Sequence, residues 1–280
     1  MSSQVSTAFL TLFDAEVKQA YQADAALRNC VRTRSGVNGS TYKFPKIGSG
    51  VATPRIPQTD VVPLNVDYSQ VTATIADWNA AEYSDIFNQS KINFDERQEL
   101  VQVVSKAIGR RHDQIIIDAL TASATSLTVA NDIGGTDTNL NVAKIREAKR
   151  LLDKGNVPFE DRFLVCHSNG LYNLLSETSA ISTDFVNSQA MMTGKPPALF
   201  GFNIIVIGDR TEGGLTIDGS LDRTIWAFHK SSVGLAEGMS FKTEINYIPE
   251  KTSWLVNAMF SAGAIAIDTA GIVQNTCRET

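Results

Sequence analysis

The chain has 280 residues and a formal net charge of -5. Its apolar fraction of 43% and charged fraction of 20% are typical of a folded globular protein. The acidic balance argues against a dedicated nucleic-acid-binding domain, which usually carries a basic surplus. No stretch approaches the roughly 20 apolar residues that span a bilayer, and the first residues lack a secretory signal. We therefore expect a protein that is made in the cytosol and has no membrane partner.

The sequence shows no pattern that is typical of an enzyme. Its three cysteines, Cys30, Cys166 and Cys277, are more than a hundred residues apart, which predicts neither a disulfide framework nor a CxxC pair. Cys166 precedes His167, but adjacent residues on a strand point to opposite faces and rarely form a nucleophile and its base. The histidines lack metal-ligand spacing, and the Walker, G-x-G-x-x-G and G-x-S-x-G motifs are absent. We expect no catalytic residue, no cofactor and no metal site.

The N-terminal segment, residues 5 to 31, predicts an amphipathic helix because its apolar residues recur every four positions. This stripe comprises Phe9, Phe13, Val17, Tyr21 and Ala25. No element adjacent in sequence can cover it, so the stripe must pack against a distant part of the chain or against another subunit. An extended terminal arm fits this pattern.

Residues 40–78 change to an apolar period of two, which predicts two strands. The glycines and prolines of residues 48–63 forbid a regular ladder and imply a loop of roughly fifteen residues between the strands. Loops of that length are uncommon in compact domains and are usually functional or disordered. An isolated two-stranded ribbon is also marginal in water. The predicted ribbon therefore needs a neighbour to lie on.

The strongest predicted element is a helix that begins at Asn93, which caps it together with Glu96 three positions later. Its apolar stripe continues to about Ala122, so the helix is roughly 45 Å long at 1.5 Å per residue. This length far exceeds the usual eleven or twelve residues and predicts a spine that spans the molecule. Gly109 weakens the helix by about 1 kcal/mol relative to alanine and is a candidate bend.

The remaining sequence predicts a mixed α/β unit at residues 129–225, followed by a sheet. The predicted elements are helices over 141–155 and from Ser168, strands over 162–166, 202–207 and 223–228, and a short helix around 232–236. Antiparallel strands then flank a turn at Pro249, and residues 264–273 can pair onto the same sheet. We expect the long helix to cover this sheet.

The order of these elements resembles the Johnson-type fold of major capsid proteins in tailed bacteriophages, which encapsulin shells and the floor of herpesvirus capsomers share. Four segments are similar to podovirus-type capsid proteins, namely FPKIG (44–48), DWNA (77–80), NFDER (93–97) and GRRHDQIIID (109–118). They are not chemical motifs, so their specificity lies in occurring together and in order. The resemblance covers nearly the whole chain and implies an α+β fold class.

By region, the resemblance implies five parts. They are an N-terminal arm at 1–35, an extended β-hairpin called the E-loop at 36–92, the spine helix of the P-domain at 93–128, an α/β A-domain at 129–225 and the P-domain sheet at 226–280. In that family the E-loop lies across the adjacent subunit, and the A-domains meet around five-fold and six-fold axes.

The function that the resemblance implies is that of a structural major capsid protein, not an enzyme. Its pentamers and hexamers would form the icosahedral head, and would enclose packaged double-stranded DNA without sequence-specific binding. The implied location is the virion capsid, assembled in the host cytoplasm. The implied partners are further copies of the chain, a separate scaffolding protein, a portal protein at one vertex and an optional decoration protein. An encapsulin-like compartment and a soluble α/β enzyme are the alternatives, which electron microscopy would separate.

Candidate intersubunit residues follow from the elements that cannot bury themselves. They are Phe9, Phe13 and Tyr21 on the arm, Lys43, Lys46 and Arg55 on the ribbon, and Arg110 and Arg111 on the spine helix. For these charges, simple solubilisation is the competing interpretation. A subunit that serves in both pentamers and hexamers must also bend. Gly36, Gly39 and Gly109 are the candidate hinges.

Overall fold

The computed structural model describes residues 22–91, 95–177 and 198–279. In chain order its elements are β1 (Arg32–Arg34), β2 (Thr41–Ile47), β3 (Tyr68–Thr74), β4 (Ala76–Asp85), α1 (Ile86–Gln89), α2 (Glu96–Thr121), β5 (Thr128–Val129), α3 (Val142–Lys154), β6 (Arg162–His167), α4 (Ser168–Ser176), β7 (Phe202–Ile207), β8 (Asp222–His229), β9 (Val233–Glu237), β10 (Lys242–Ile248), β11 (Ser253–Ala266) and β12 (Ile272–Arg278). Helices and strands are mixed along the chain, as the α+β prediction requires.

The spine helix α2 has 26 residues and a length of about 39 Å. The predicted cap at Asn93, which lies outside the described residues, is wrong, because the side chain of Asp95 caps the helix by accepting the Arg97 N–H. The helix is continuous through Gly109, and a hinge at this residue stays a prediction. Gly109 allows a close approach, since a Cβ there would lie 3.3 Å from the Cβ and the backbone nitrogen of Ala25.

The first sheet has the order β1-β9-β11-β10, with β4 on the other side of β11. Strand β11 pairs antiparallel with β4 from Ser253 opposite Asp85 to Ala262 opposite Ala76. The spine covers this sheet, and the ring of His112 on α2 stacks on Phe260 with centroids 4.5 Å apart. The prediction that the long helix covers the returning strands is confirmed.

The second sheet has the order β5-β12-β8-β6-β7 and contains the α/β region. The prediction that residues 264–273 pair onto the first sheet holds only up to the end of β11. A 3₁₀ turn at Thr269–Gly271 redirects the chain, so that β12 lies between β5 and β8. The predicted helix around residues 232–236 is also wrong. All five residues of β9 are buried, which a strand inside a sheet allows and a surface helix does not.

Strands β2 and β3 form a two-stranded antiparallel ribbon, from Thr41 opposite Thr74 to Ile47 opposite Tyr68. Its base is anchored by Phe44, which is 1% exposed and packs on Gly234, where a Cβ would lie 2.7 Å from the ring. The predicted E-loop segment, 36–92, contains more than this ribbon. Its later part is β4, which belongs to the first sheet because it pairs with β11 along its whole length.

The predicted N-terminal helix does not extend into the described residues. Residues 22–31 contain only a 3₁₀ turn at Arg28–Cys30. Leu27 and Val31 are nevertheless 0% and 1% exposed and belong to the main core cluster with Ile108 and Leu235. The base of the arm is thus part of the core of its own subunit.

Candidate assembly surface

The ribbon tip, residues 48–67, exposes a group of large aliphatic side chains. Val51, Ile56, Val61, Val62 and Leu64 are between 54% and 90% exposed. The tip is closed at its root, where the Gly48 N–H donates to the Asp67 carbonyl at 2.8 Å. Burying a valine or leucine stabilises by about 1.5–3 kcal/mol. A surface of this kind on a soluble protein marks an interaction site.

The predicted ribbon charges have different surroundings. The Lys46 ammonium lies 2.9 Å from the Asp268 carboxylate, so this residue fastens the ribbon to its own subunit. Lys43 and Arg55 are exposed, and the described part of the chain offers neither of them an ion pair. Their intersubunit role stays a prediction.

The two predicted spine arginines contact their own chain. Arg110 donates to the Gln22 side chain at 3.3 Å. The Arg111 guanidinium lies 3.5 Å from the ring centroid of Trp78 and 3.2 Å from Glu212, so it joins α2 to β4 and to the loop that follows β7. These contacts leave an additional role at an interface untested. Phe9, Phe13 and Tyr21 lie outside the described residues.

Gly36 and Gly39, two of the predicted hinges, have φ angles of +71° and +120°, which are rare for other residues. No heavy atom of the described residues lies within 4 Å of a Cβ built at either position. The requirement for glycine at this point is therefore conformational rather than steric. Movement about these residues stays a prediction.

Asp113, which the sequence analysis missed, fastens the arm to the spine. Its carboxylate is fully buried and accepts the backbone N–H groups of Ala26 and Leu27 at 2.9–3.1 Å. Arg210 Nη1 also lies 2.8 Å from it. The signal in the sequence was the position of this acid, three residues before Ile116 and thus on the apolar face of the helix.

A second fastening joins the arm to β9. The Arg28 guanidinium donates to both carboxylate oxygens of Glu237 at 2.7 and 2.8 Å, and Ser35 Oγ donates at 3.0 Å. Burial of Glu237 tends to raise its pKa, but these hydrogen bonds and the charge of Arg28 together hold the pKa below its ordinary value. Beside it, burial lowers the pKa of His112. The folded state therefore favours an ionised Glu237 and a neutral His112.

We expect the subunit to lose stability as the pH falls. The pKa of His112 is lower in the folded than in the unfolded chain, so its contribution is complete above its ordinary value of 6.5 and declines as the pH falls below that value. The contribution of Glu237 is complete above 4.5 and declines as the pH falls through its lowered pKa. Denaturant unfolding between pH 7.5 and 3 measures both contributions. His112→Asn should reduce the decline that begins near pH 6.5, and the remainder belongs to His229, whose pKa burial also lowers. Stability that rises as the pH falls from 7.5 to 5.5 would contradict the assignment.

The Cys166–His167 pair has no features of a catalytic site. Burial raises the pKa of the Cys166 thiol to about 12, so the nucleophilic thiolate is not formed at neutral pH. The His167 ring lies 3.1 Å from the carboxylates of Asp209 and Glu279, and Arg223 donates to Glu279 at 2.7 Å. These contacts join the end of β6 to residues near the C-terminus, so the role of His167 is structural.

Within residues 22–91, 95–177 and 198–279, no three His, Cys, Asp or Glu side chains are grouped so that they could hold a metal ion. The helices that the structure describes include none that is both long and apolar enough to cross a membrane. The exposed aliphatic side chains of the ribbon tip make it the strongest candidate for a functional surface.

The fold matches those of solved phage capsids. The capsid of cyanophage P-SCSP1u is 15% identical, with a TM-score of 0.76 over 100% of this chain and 96% of the other. The capsid of Helicobacter pylori bacteriophage KHP30 is 12% identical, with a TM-score of 0.77 over 96% and 95%. A chain of Mycobacterium phage Che8 is 17% identical, with a TM-score of 0.72 over 95% and 96%. At these identities the similarity shows the fold.

The sequence itself shows the family. No curated protein sequence matches the chain. A model of the phage capsid protein family, however, matches residues 5–279. The predicted function is confirmed at this level, and the protein is a structural component of the virion capsid, not an enzyme. The chain belongs to the phage capsid protein family.

Proposed function

We propose that the protein is the subunit of both the pentamers and the hexamers of an icosahedral phage head, and that its ribbon holds neighbouring subunits together. The observation that carries this proposal is the exposed aliphatic ribbon tip. In one subunit these side chains stay in water, whereas a closed shell of identical copies buries them in obligate interfaces. The phage capsid family and the shell-forming structural neighbours support this assignment.

The parts of the fold have separate tasks in this proposal. Residues 1–35 are the arm, and the ribbon at 41–74 is the E-loop that lies across the adjacent subunit. The spine and the first sheet form the P-domain, which gives the subunit its rigid body. The second sheet and its helices form the A-domain, which meets its copies around the symmetry axes.

The partners of the shell follow from the same proposal. A separate scaffolding protein guides assembly, a portal protein occupies one vertex, and a decoration protein is optional. The shell encloses double-stranded DNA without reading its sequence, as the acidic net charge of -5 favours. An encapsulin-like compartment is the alternative within this fold. Electron microscopy of particles from infected cells separates the two, because only a phage head contains a genome and has one portal vertex.

Deletion of residues 49–63 tests the role of the ribbon. We expect subunits that fold but no longer close into shells, because the deletion removes four of the five exposed aliphatic side chains. Sedimentation and electron microscopy of the protein, expressed with its scaffolding protein, measure shell formation. Circular dichroism and the thermal midpoint check the fold.

Two further variants make the result specific. Gln58→Gly alters an exposed tip residue with a φ of 65°, which glycine adopts without strain, and should assemble normally. Replacing the five aliphatic residues by serine keeps the length of the tip and should fail to assemble. Closed shells from the deletion variant, at the yield of the unaltered protein, would refute the proposed role.

A further inference from the structure

A groove lies between the spine helix and the outer edge of β4, at the end of the molecule where α2 begins. It has a volume of about 440 Å³. The residues that line it include Ala80, Glu82, Glu96, Leu100, Val103 and Ala107, and we call it the β4 groove. In the described part of the chain β4 pairs with β11 alone, so its other edge is open along this groove.

The floor of the β4 groove is apolar and its rim is acidic. Small side chains on β4 leave room beside the aliphatic residues of α2, which explains why the groove exists. On the rim, Glu96 accepts a hydrogen bond from Ser84 at 2.6 Å, which fixes its position. Glu82 is exposed, its carboxylate accepts only its neighbour's backbone N–H, and the described residues give it no ion pair. The groove is thus suited to an aliphatic segment that carries a positive charge.

The outgoing half of the ribbon tip, residues 51–56, has this chemistry. Val51 and Ile56 are 84% and 63% exposed, and Arg55 is the single cationic residue of the tip. A turn at residues 57–59 follows, in which the Thr59 N–H donates to the Ile56 carbonyl. The tip's two carboxylates, Asp60 and Asp67, belong to the returning half. Charge complementarity therefore favours the outgoing half as the part that enters the groove.

Both surfaces are open in the same chain. The aliphatic residues of the tip are exposed, so the subunit does not place its own tip in its own groove. Arg55 on the tip and Glu82 on the rim carry opposite charges, and neither has an ionic partner among the described residues. A second copy of the chain could cover the exposed tip and supply the opposite charge to Arg55 at the same time.

We propose that the β4 groove receives residues 51–56 of the ribbon tip of a second copy, with Arg55 paired to Glu82. The inference rests on the proposed function, because only an assembling subunit has a second tip within reach. It extends that proposal by assigning the acceptor surface, and it makes the interface dependent on one charge pair.

A charge exchange tests the pairing. Arg55→Glu and Glu82→Arg should each reduce the yield of closed shells at least tenfold, because each places like charges together in the interface. The double variant with both substitutions restores opposite charges, and we expect it to recover at least half of the original yield. Glu250→Arg, which reverses an exposed charge on another turn of the chain, is the matched control and should assemble normally.

A disulfide provides the second measurement. The native cysteines are free and buried, so a new pair of cysteines is selective. With Ile56→Cys and Val103→Cys in one chain, oxidation of assembled shells should produce ladders of linked subunits on a denaturing gel. Either substitution alone should not produce them.

The outcomes separate the two proposals. Recovery by the double variant together with linked subunits supports the groove. Normal shells from both single variants, or a double variant as defective as the single ones and no cross-link, overturns the groove. The groove can be overturned while the variant that lacks residues 49–63 still fails to form closed shells. The ribbon then keeps its proposed role, and only the assigned acceptor surface is wrong.

Discussion

Replacement of Asp113 by alanine is expected to lower the free energy of unfolding of the subunit by about 3–5 kcal/mol, the usual cost of breaking a buried ion pair. The substitution leaves the N–H groups of Ala26 and Leu27 without their acceptor. It also leaves the Arg210 guanidinium, whose side chain is 9% exposed, without its counter-charge. Chemical denaturation of assembly-incompetent subunits, such as those without residues 49–63, measures the loss without interference from the shell.

Asp113→Asn and Asp118→Ala provide the controls. The asparagine keeps the size of the side chain and one acceptor oxygen for the arm, but removes the charge that Arg210 requires, so its loss should be intermediate. Asp118 lies on the same helix and is exposed, where it accepts a hydrogen bond from Gln114. Its replacement should cost less than about 1 kcal/mol, the usual limit for exposed groups. A loss of that size for Asp113→Ala would show that the arm is not fastened at this residue.

The elements with strong local signals could be predicted from the sequence. The predicted helix over 141–155 is α3, which is capped by Asn141 and ends before Gly155, and both signals act within one turn. The long apolar stripe also predicts the spine, but the predicted cap lies two residues before the observed one. Where polar residues cluster before a helix, several can serve as the cap, and the stripe alone does not choose between Asn93 and Asp95.

The sheet to which each strand belongs could not be predicted from local signals. Strands β4 and β12 have ordinary strand patterns. No feature of the local sequence indicates that β4 pairs with β11 or that β12 lies beside β8. The sequence predicts a short helix around residues 232–236, where the structure has the strand β9, because a brief apolar run fits both periods. The pairing of a strand, and the choice between helix and strand for a short apolar segment, depend on residues that are distant in sequence.

The candidate surface was found in part. A long loop with glycines and prolines predicted an element in need of a neighbour, and the exposed aliphatic tip agrees with that prediction. The individual charges were harder to assign. Lys46 and Arg111 have partners within the chain, whereas Arg55 has none among the described residues. Only the positions of Asp268, Glu212 and Trp78 distinguish these cases. The fastening residues Asp113 and Glu237 depend on the same kind of information.

Substitution of Gly263 by alanine is expected to separate the ribbon from the body of the subunit. A Cβ at this position in β11 would overlap the carbonyl oxygen of Thr74, and it would lie 2.7 Å from the carbonyl carbon of Thr74 and 3.2 Å from the Cα of Ile75. All three are backbone atoms at the end of β3, so no side chain can rotate away. The ribbon root must move, and Phe44 must then leave its place on Gly234.

We expect Gly263→Ala to lower the free energy of unfolding by about 1–3 kcal/mol, the usual cost of overpacking, and to abolish shell closure because the tip is no longer aimed at its neighbour. Thermal unfolding and sedimentation measure the two effects. Gly208→Ala is the matched control, since no heavy atom lies within 4 Å of a Cβ there and its φ is not in the left-handed region. It should leave both properties unchanged. If Gly263→Ala assembled as readily as Gly208→Ala, a fixed ribbon root could not be what directs the tip, and shell closure would have to depend on contacts elsewhere in the subunit.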